Sequence, residues 1–251
     1  MLPFEPTAAH VLLVVAAFVA AGLCKGVLGF GIPLVSVPIL TGVMHPATTI
    51  SVLAVPIVVA NVWQSIEGGY TKGVLRRFWP AAVAIVVGSI IGAQFLTEVD
   101  PAATQFLIGV VVIVFSASQF KTIIIPHPED GEAWLTPVVG FASGVLGGIT
   151  TFFGPLMILY LVALRLTKNE FVATMALLYL IGVLPLFAVL AWKGVLGAGE
   201  LATSAAGTVI VLSAMAVGRW LRDRVSQELF RKALLLVLIV MGLNMIRRAL
   251  M

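Results

Sequence analysis

Gly22-Leu-Cys-Lys-Gly-Val-Leu-Gly-Phe-Gly-Ile-Pro-Leu-Val-Ser-Val-Pro-Ile-Leu40 is apolar enough to lie in a bilayer, yet a poor recipe for a continuous helix. It holds four glycines, Pro33 and Pro38, and a single charge, Lys25. Much of it recurs from Gly144 to Leu161, reading Gly-Val-Leu-Gly-Gly-Ile-Thr-Thr-Phe-Phe-Gly-Pro-Leu-Met-Ile-Leu-Tyr-Leu. The shared core is Gly26-Val-Leu-Gly29 in the first copy and Gly144-Val-Leu-Gly147 in the second, each followed by a proline, Pro38 or Pro155. Glycine and proline interrupt helices. The pair therefore reads as two broken segments that meet near the membrane midplane and form a small-solute site.

The rest of the composition agrees with a lipid environment. Of 251 residues, 61% are hydrophobic and 10% charged, whereas soluble domains carry about 25% charged residues. Several stretches of roughly 20 apolar residues are long enough to cross the hydrocarbon core. Lipid offers no partner for an unpaired backbone group, so the spans are expected to be helices. A barrel would show short alternating segments instead. The single cysteine, Cys24, excludes an intrachain disulfide. The start, Met-Leu-Pro-Phe-Glu-Pro, lacks the basic region of a cleaved signal, so the first span is expected to be retained.

Along the chain, Ala8–Leu28 reads as a full span, and the apolar run up to Thr41 as a half-length or re-entrant piece. One kinked span follows over Ala47–Ile66, with Pro56 inside it, then spans over Phe78–Thr97 and Ala102–Phe120. Lys121 to Glu132 reads as the central connection. The second broken segment covers Leu135–Leu164, with spans after it over Phe171–Trp192, Leu201–Val217 and Ala233–Met245. Gly69 falls opposite Gly194, and Gly92 opposite Gly218. The chain thus reads as one transmembrane domain, 1–251, of two repeats, 8–123 and 133–251, around a central loop at 121–132. Lys72, Arg76 and Arg77 in one half, and Arg219, Arg222, Arg224, Arg231 and Lys232 in the other, mark cytoplasmic loops by the positive-inside rule. Both loops are cytoplasmic only if equivalent helices run in opposite directions. The expected fold is all-α and polytopic: two inverted-topology repeats, each opening with a broken glycine-rich hairpin, with about 8–10 membrane segments.

Lys25 is the only charge between Glu5 and Glu67. An ionisable group at membrane depth is costly and by default a functional candidate; the alternative is a side chain that snorkels to the interface. Gly26, Gly29, Gly31, Gly147 and Gly148 would let a restarted helix present free N–H groups to an anion, or would serve close helix packing. Thr150 and Thr151 add hydroxyls. Asn61 and Gln64 either line a path or bond between helices. These ten residues form the candidate substrate-binding set. No carboxylate falls within a span, the three histidines are scattered without metal-ligand spacing, and no nucleophile motif, zinc signature or P-loop occurs. An enzyme, a cofactor and a resident metal are therefore not expected, and a small anion fits better than a cation.

These features resemble the TauE/SafE sulfite exporter family. The likeness rests on Gly26-Val-Leu-Gly-Phe-Gly-Ile-Pro-Leu-Val-Ser-Val-Pro38, the His45-Pro-Ala-Thr-Thr stretch, the Gly68-Gly69-Tyr70 turn and the second copy from Gly144. It implies a bacterial-type inner-membrane permease for sulfur-containing anions such as sulfite, a sulfonate like sulfoacetate, or thiosulfate. The sequence reading is thus a secondary transporter of such an anion by alternating access. The rivals are an anion channel with the same lining and a non-transporting membrane subunit of a larger complex. Expected partners are the anion, the lipid bilayer and a second copy of the chain, not nucleic acid.

Overall fold

The computed structural model describes residues 7–66, 69–119, 131–222, 224 and 226–251. Glu67, Gly68, Asp223 and most of the central connection lie outside the described residues. Every described element is a helix, in the order α1 (Ala8–Leu28), α2 (Ile32–Leu40), α3 (Pro46–Ser51), α4 (Ala54–Ile66), α5 (Thr71–Glu98), α6 (Pro101–Ser118), α7 (Glu132–Thr150), α8 (Gly154–Ala163), α9 (Lys168–Trp192), α10 (Ala198–Arg222) and α11 (Gln227–Ala249). Six of them, α1, α5, α6, α7, α9 and α10, are long and apolar enough to cross a membrane. The protein is a polytopic, all-helical membrane protein.

Its surface fits that solvent. Val83, Val87 and Phe95 on α5, Val209 on α10, and Leu236, Val240 and Leu243 on α11 are exposed. All five tryptophans (Trp63, Trp79, Trp134, Trp192 and Trp220) are more than half exposed and lie toward helix ends, where an aromatic belt meets the headgroups.

Local chemistry sets the boundaries. Asp100 caps α6 through its carboxylate, which accepts from the Ala102 and Ala103 N–H groups, with Pro101 as the first helical residue. Thr167 and Glu170 close a reciprocal capping box on α9. That cap starts α9 at Lys168, before the apolar run at Phe171 begins. Similarly, α5 starts at Thr71, so Lys72, Arg76 and Arg77 sit on its first turns and not in a loop; the backbone bends only at Phe78 (φ −104°, ψ 17°). Pro80 accounts for the bend, since it cannot donate to the Arg76 carbonyl. The stretch from Gln227 to Lys232 is the first part of α11, not a connection.

The expected single span over Ala47–Ile66 is two helices. A turn at Val52 and Leu53 interrupts the helix, because Pro56 has no N–H for the Val52 carbonyl and its ring crowds that oxygen. The Val55 N–H freed by the break is taken by Ser204 Oγ of α10 at 2.9 Å. By contrast, Pro185 leaves α9 unbroken.

Contacts divide the chain into two compact units. Unit 1 contains α1, α2, α3, α6, α10 and α11. There α1 packs along α10 and α6 along α11, while α2 touches α1, α3, α6 and α11. Unit 2 contains α4 from Ile57 onward, α5, α7, α8 and α9. There α5 packs along both α7 and α9, and α8 touches α7 and α9.

Each unit is drawn together by glycines at four-residue spacing on one helix face. In unit 1, a Cβ on Gly26 would stand 2.7 Å from Gly218 Cα and 2.8 Å from Arg219 N, and one on Gly22 would stand 2.7 Å from Ala214 Cβ. In unit 2, a Cβ on Gly148 would stand 2.8 Å from Ala93 N and 2.9 Å from Gly92 Cα, and one on Gly144 would stand 2.9 Å from Ile85 Cα. The obstacles are mostly backbone, so the helices touch where only a hydrogen fits. Lipid supplies no hydrophobic drive between helices, and such close approach takes its place.

Candidate functional site

The first break lies in unit 1. Gly29 ends α1 in left-handed geometry (φ 85°), its N–H donating to the Lys25 carbonyl at 2.9 Å. Gly31 (φ 116°) precedes α2. Both φ values lie where an L-residue is strained, which is why two glycines occupy these positions. Pro33 sits in the first turn of α2, where its missing N–H costs nothing. The restarted helix is nine residues long, about 13 Å at 1.5 Å per residue and well short of a crossing. Cys24 closes the corner: a Cβ on Gly31 would lie 2.8 Å from its Sγ, which contacts the Phe30 carbonyl at 3.6 Å.

Lys25, on the last turn of α1, is 4% exposed. Burial of this kind does not suit a side chain that snorkels to the interface. Among the described residues it is the only charged side chain in the buried set. The missing side chain of Gly26 makes the contact with α10 possible.

The second break lies in unit 2 and repeats the plan with different residues. Thr151 ends α7 in left-handed geometry (φ 64°), its N–H donating to the Gly147 carbonyl at 2.7 Å. Gly154 and Pro155 open α8. A β-branched residue at positive φ is a strained choice, and the surroundings hold it. The Tyr179 hydroxyl of α9 donates to the Thr151 carbonyl. The Phe153 ring meets the Tyr179 ring edge-on at 5.1 Å and occupies the space left by the hydrogens of Gly147 and Gly182. Ser89 of α5 donates to the Gly182 carbonyl at 2.6 Å. Thr150 and Thr151 are fully buried. Their hydroxyls donate to the Leu146 and Thr150 carbonyls, and Thr150 Oγ1 also accepts from the Phe152 N–H. Both protons are therefore committed to the backbone that forms the corner.

Asn61 and Gln64, on α4 in unit 2, are buried. Asn61 Nδ2 donates to the Ile57 carbonyl at 2.8 Å, within its own helix. The structure thus places Lys25, Gly26, Gly29 and Gly31 together at one break, and Gly147, Gly148, Thr150 and Thr151 together at the other.

The break geometry corrects the match between the copies. The shared Gly-Val-Leu-Gly pairs Gly26 with Gly144. The left-handed corner, however, equates Gly29 with Thr151, and the packing equates Gly26 with Gly148, since these two meet Gly218 and Gly92 respectively. The slip is one helical turn. Gly92 faces Gly148 as Gly218 faces Gly26, and Gly69 and Gly194 share positive φ values of 74° and 75°.

Sequence reasoning passed over Tyr179, Phe153 and Ser89. The available signal was a tyrosine in the middle of an apolar run, whose hydroxyl must find a partner.

A family model described as "Sulfite exporter TauE/SafE" matches residues 13–245. No curated protein and no solved structure matches the chain.

Proposed function

Because the chain belongs to the sulfite exporter TauE/SafE family, we propose that it is a secondary transporter carrying a small sulfur-containing anion (sulfite, a sulfonate such as sulfoacetate, or thiosulfate) across the inner membrane by alternating access. The observation that carries this reading is Lys25, a buried cation one turn before a glycine-made break. A buried ammonium favours an anionic ligand, and the open first turn of α2 adds N–H groups of the same preference. Gly29 and Gly31 let an anion approach that backbone closely. On this reading the second break, at Thr150 and Thr151, supplies the matching corner of the other repeat, and the repeats run in opposite directions. Export of an anion from a negative interior is downhill by about 2.3 kcal/mol per charge per 100 mV, so a membrane carboxylate is not required to drive it.

The test is substrate-induced current from proteoliposomes, with sulfite, thiosulfate, sulfoacetate and chloride applied to the wild type and to Lys25→Ala. The expected result is saturable current for one sulfur oxyanion, with apparent affinity reduced at least tenfold in the variant. Wild-type affinity in a folded Lys25→Ala protein would remove Lys25 from the site. Silence both in current and in tracer flux would overturn the transporter reading.

A further inference from the structure

A cavity of about 140 Å³ opens within unit 2 between the start of α5 and the start of α9, with Tyr70, Arg77, Phe78, Glu170 and Thr174 among its lining residues. Three features of the sequence make it. The bend at Phe78, forced by Pro80, alters the course of the first turns of α5. Gly73 leaves its wall bare, with nothing within 4 Å of where a Cβ would be. The capping box at Thr167 fixes where α9 begins and holds Glu170 in place.

Thr174 is the telling residue. It is 1% exposed and its hydroxyl has no hydrogen-bond partner. A threonine inside a helix ordinarily donates to the carbonyl four residues back, as Thr136, Thr150, Thr203 and Thr208 do in this protein. Thr174 forgoes that bond and lines the cavity instead. A buried polar group left unmatched calls for an explanation, and a ligand supplies one.

The charges say what kind. Arg77 spends its Nε and one Nη2 proton on Glu132, at 2.7 and 3.0 Å, which leaves three guanidinium N–H groups. Glu170 uses Oε2 to accept from the Thr167 N–H and hydroxyl, at 3.1 and 2.8 Å, which leaves Oε1. A bare anion would meet the Glu170 charge, and a bare cation would leave the remaining Arg77 N–H groups without an acceptor. We propose that this cavity binds a small zwitterion, its oxyanion held by Arg77 with the Thr174 and Tyr70 hydroxyls and its ammonium held by Glu170. The volume resembles that of an engineered cavity that holds benzene, so the ligand has about six to eight heavy atoms. A free amino acid-like solute and the phosphoethanolamine headgroup of a lipid share this chemistry. Its lining residues belong to neither helix break, and the proposal does not depend on the transport reading, because occupancy is measured without flux.

The test uses the full-length protein in detergent, titrated with β-alanine, phosphoethanolamine, propionate and propylammonium, and read by thermal shift and calorimetry. The two zwitterions are expected to raise the Tm and bind saturably, and the two singly charged probes to do neither at equal concentration. Thr174→Val and Glu170→Gln are each expected to weaken zwitterion binding by about tenfold or more. Glutamine keeps the capping box, so Glu170→Gln decides the matter if Thr174→Val does not fold. Native mass spectrometry from phosphatidylethanolamine nanodiscs separates the two sources. A retained lipid in the wild type, absent in Thr174→Val, assigns the headgroup; binding of β-alanine alone assigns a free solute. The proposal is overturned if no probe binds, if propionate or propylammonium binds as tightly as the zwitterions, or if neither variant changes the affinity.

Discussion

Replacing Gly26 by valine tests the close helix contacts in unit 1. A Cβ there would stand 2.7 Å from Gly218 Cα and 2.8 Å from Arg219 N. Carbon atoms rest at about 3.5–4.0 Å, so α10 must withdraw by roughly 1 Å over that turn. Backbone cannot rotate out of the way as a side chain can. Overpacking costs about 1–3 kcal/mol, and the better helix propensity of valine over glycine returns about 0.3–0.5 kcal/mol. The net loss, roughly 0.5–2.7 kcal/mol, multiplies the opening constant of unit 1 about 2- to 100-fold. Cys24 offers the readout: it is the only cysteine, 1% exposed, two residues from the substitution. With reclosing faster than reaction, its maleimide labelling rate follows the opening constant and should rise by that factor, with a lower Tm. Gly73→Ala is the control, because nothing lies within 4 Å of its Cβ and labelling should not rise. Wild-type labelling and Tm in Gly26→Val would refute the close-packing argument.

Other consequences are as direct. Gly148→Val should lower the Tm by a comparable amount, since Ala93 N and Gly92 Cα lie 2.8 and 2.9 Å from its Cβ position; an unchanged Tm would count against the shared packing plan. Tyr179→Phe removes the bond to the Thr151 carbonyl and should cost about 0.5–1.5 kcal/mol in denaturant unfolding, while Thr151→Gly relieves left-handed strain of about 1–2 kcal/mol and should offset that loss in the double variant. Ser204→Ala strands the Val55 N–H at the Pro56 break and should destabilise by about 1–3 kcal/mol; a neutral effect would mean that the N–H finds another acceptor. Thr167→Ala opens the capping box on α9 and should cost about 1 kcal/mol, with Thr167→Ser largely restoring stability.

Much was fixed by composition and local chemistry. Apolar runs of span length in a chain with 10% charged residues require lipid and helices. Gly29, Gly31 and Pro33 mark a break wherever they occur, because positive φ and a missing donor are properties of the residues themselves. Lys25 could be named as a candidate for the same reason, since a lone charge among apolar residues stands out in one dimension.

Tertiary structure decided what depends on partners distant in sequence. Glycines four residues apart present the same face at every turn, so a one-turn slip still sets Gly22 and Gly26 against glycines of the second copy. Only the contacts of Gly26 with Gly218 and of Gly148 with Gly92 fix the register. Thr151 holds a conformation that its own chemistry disfavours, because Tyr179 and Phe153, brought in from α9 and the corner, hold it there. Pro56 breaks its helix while Pro185 does not, and Ser204 from α10 takes up the N–H that the first break releases. Whether a hydroxyl serves its own helix, as in Thr150, or faces a cavity, as in Thr174, is set by what packs against it, which no local pattern records.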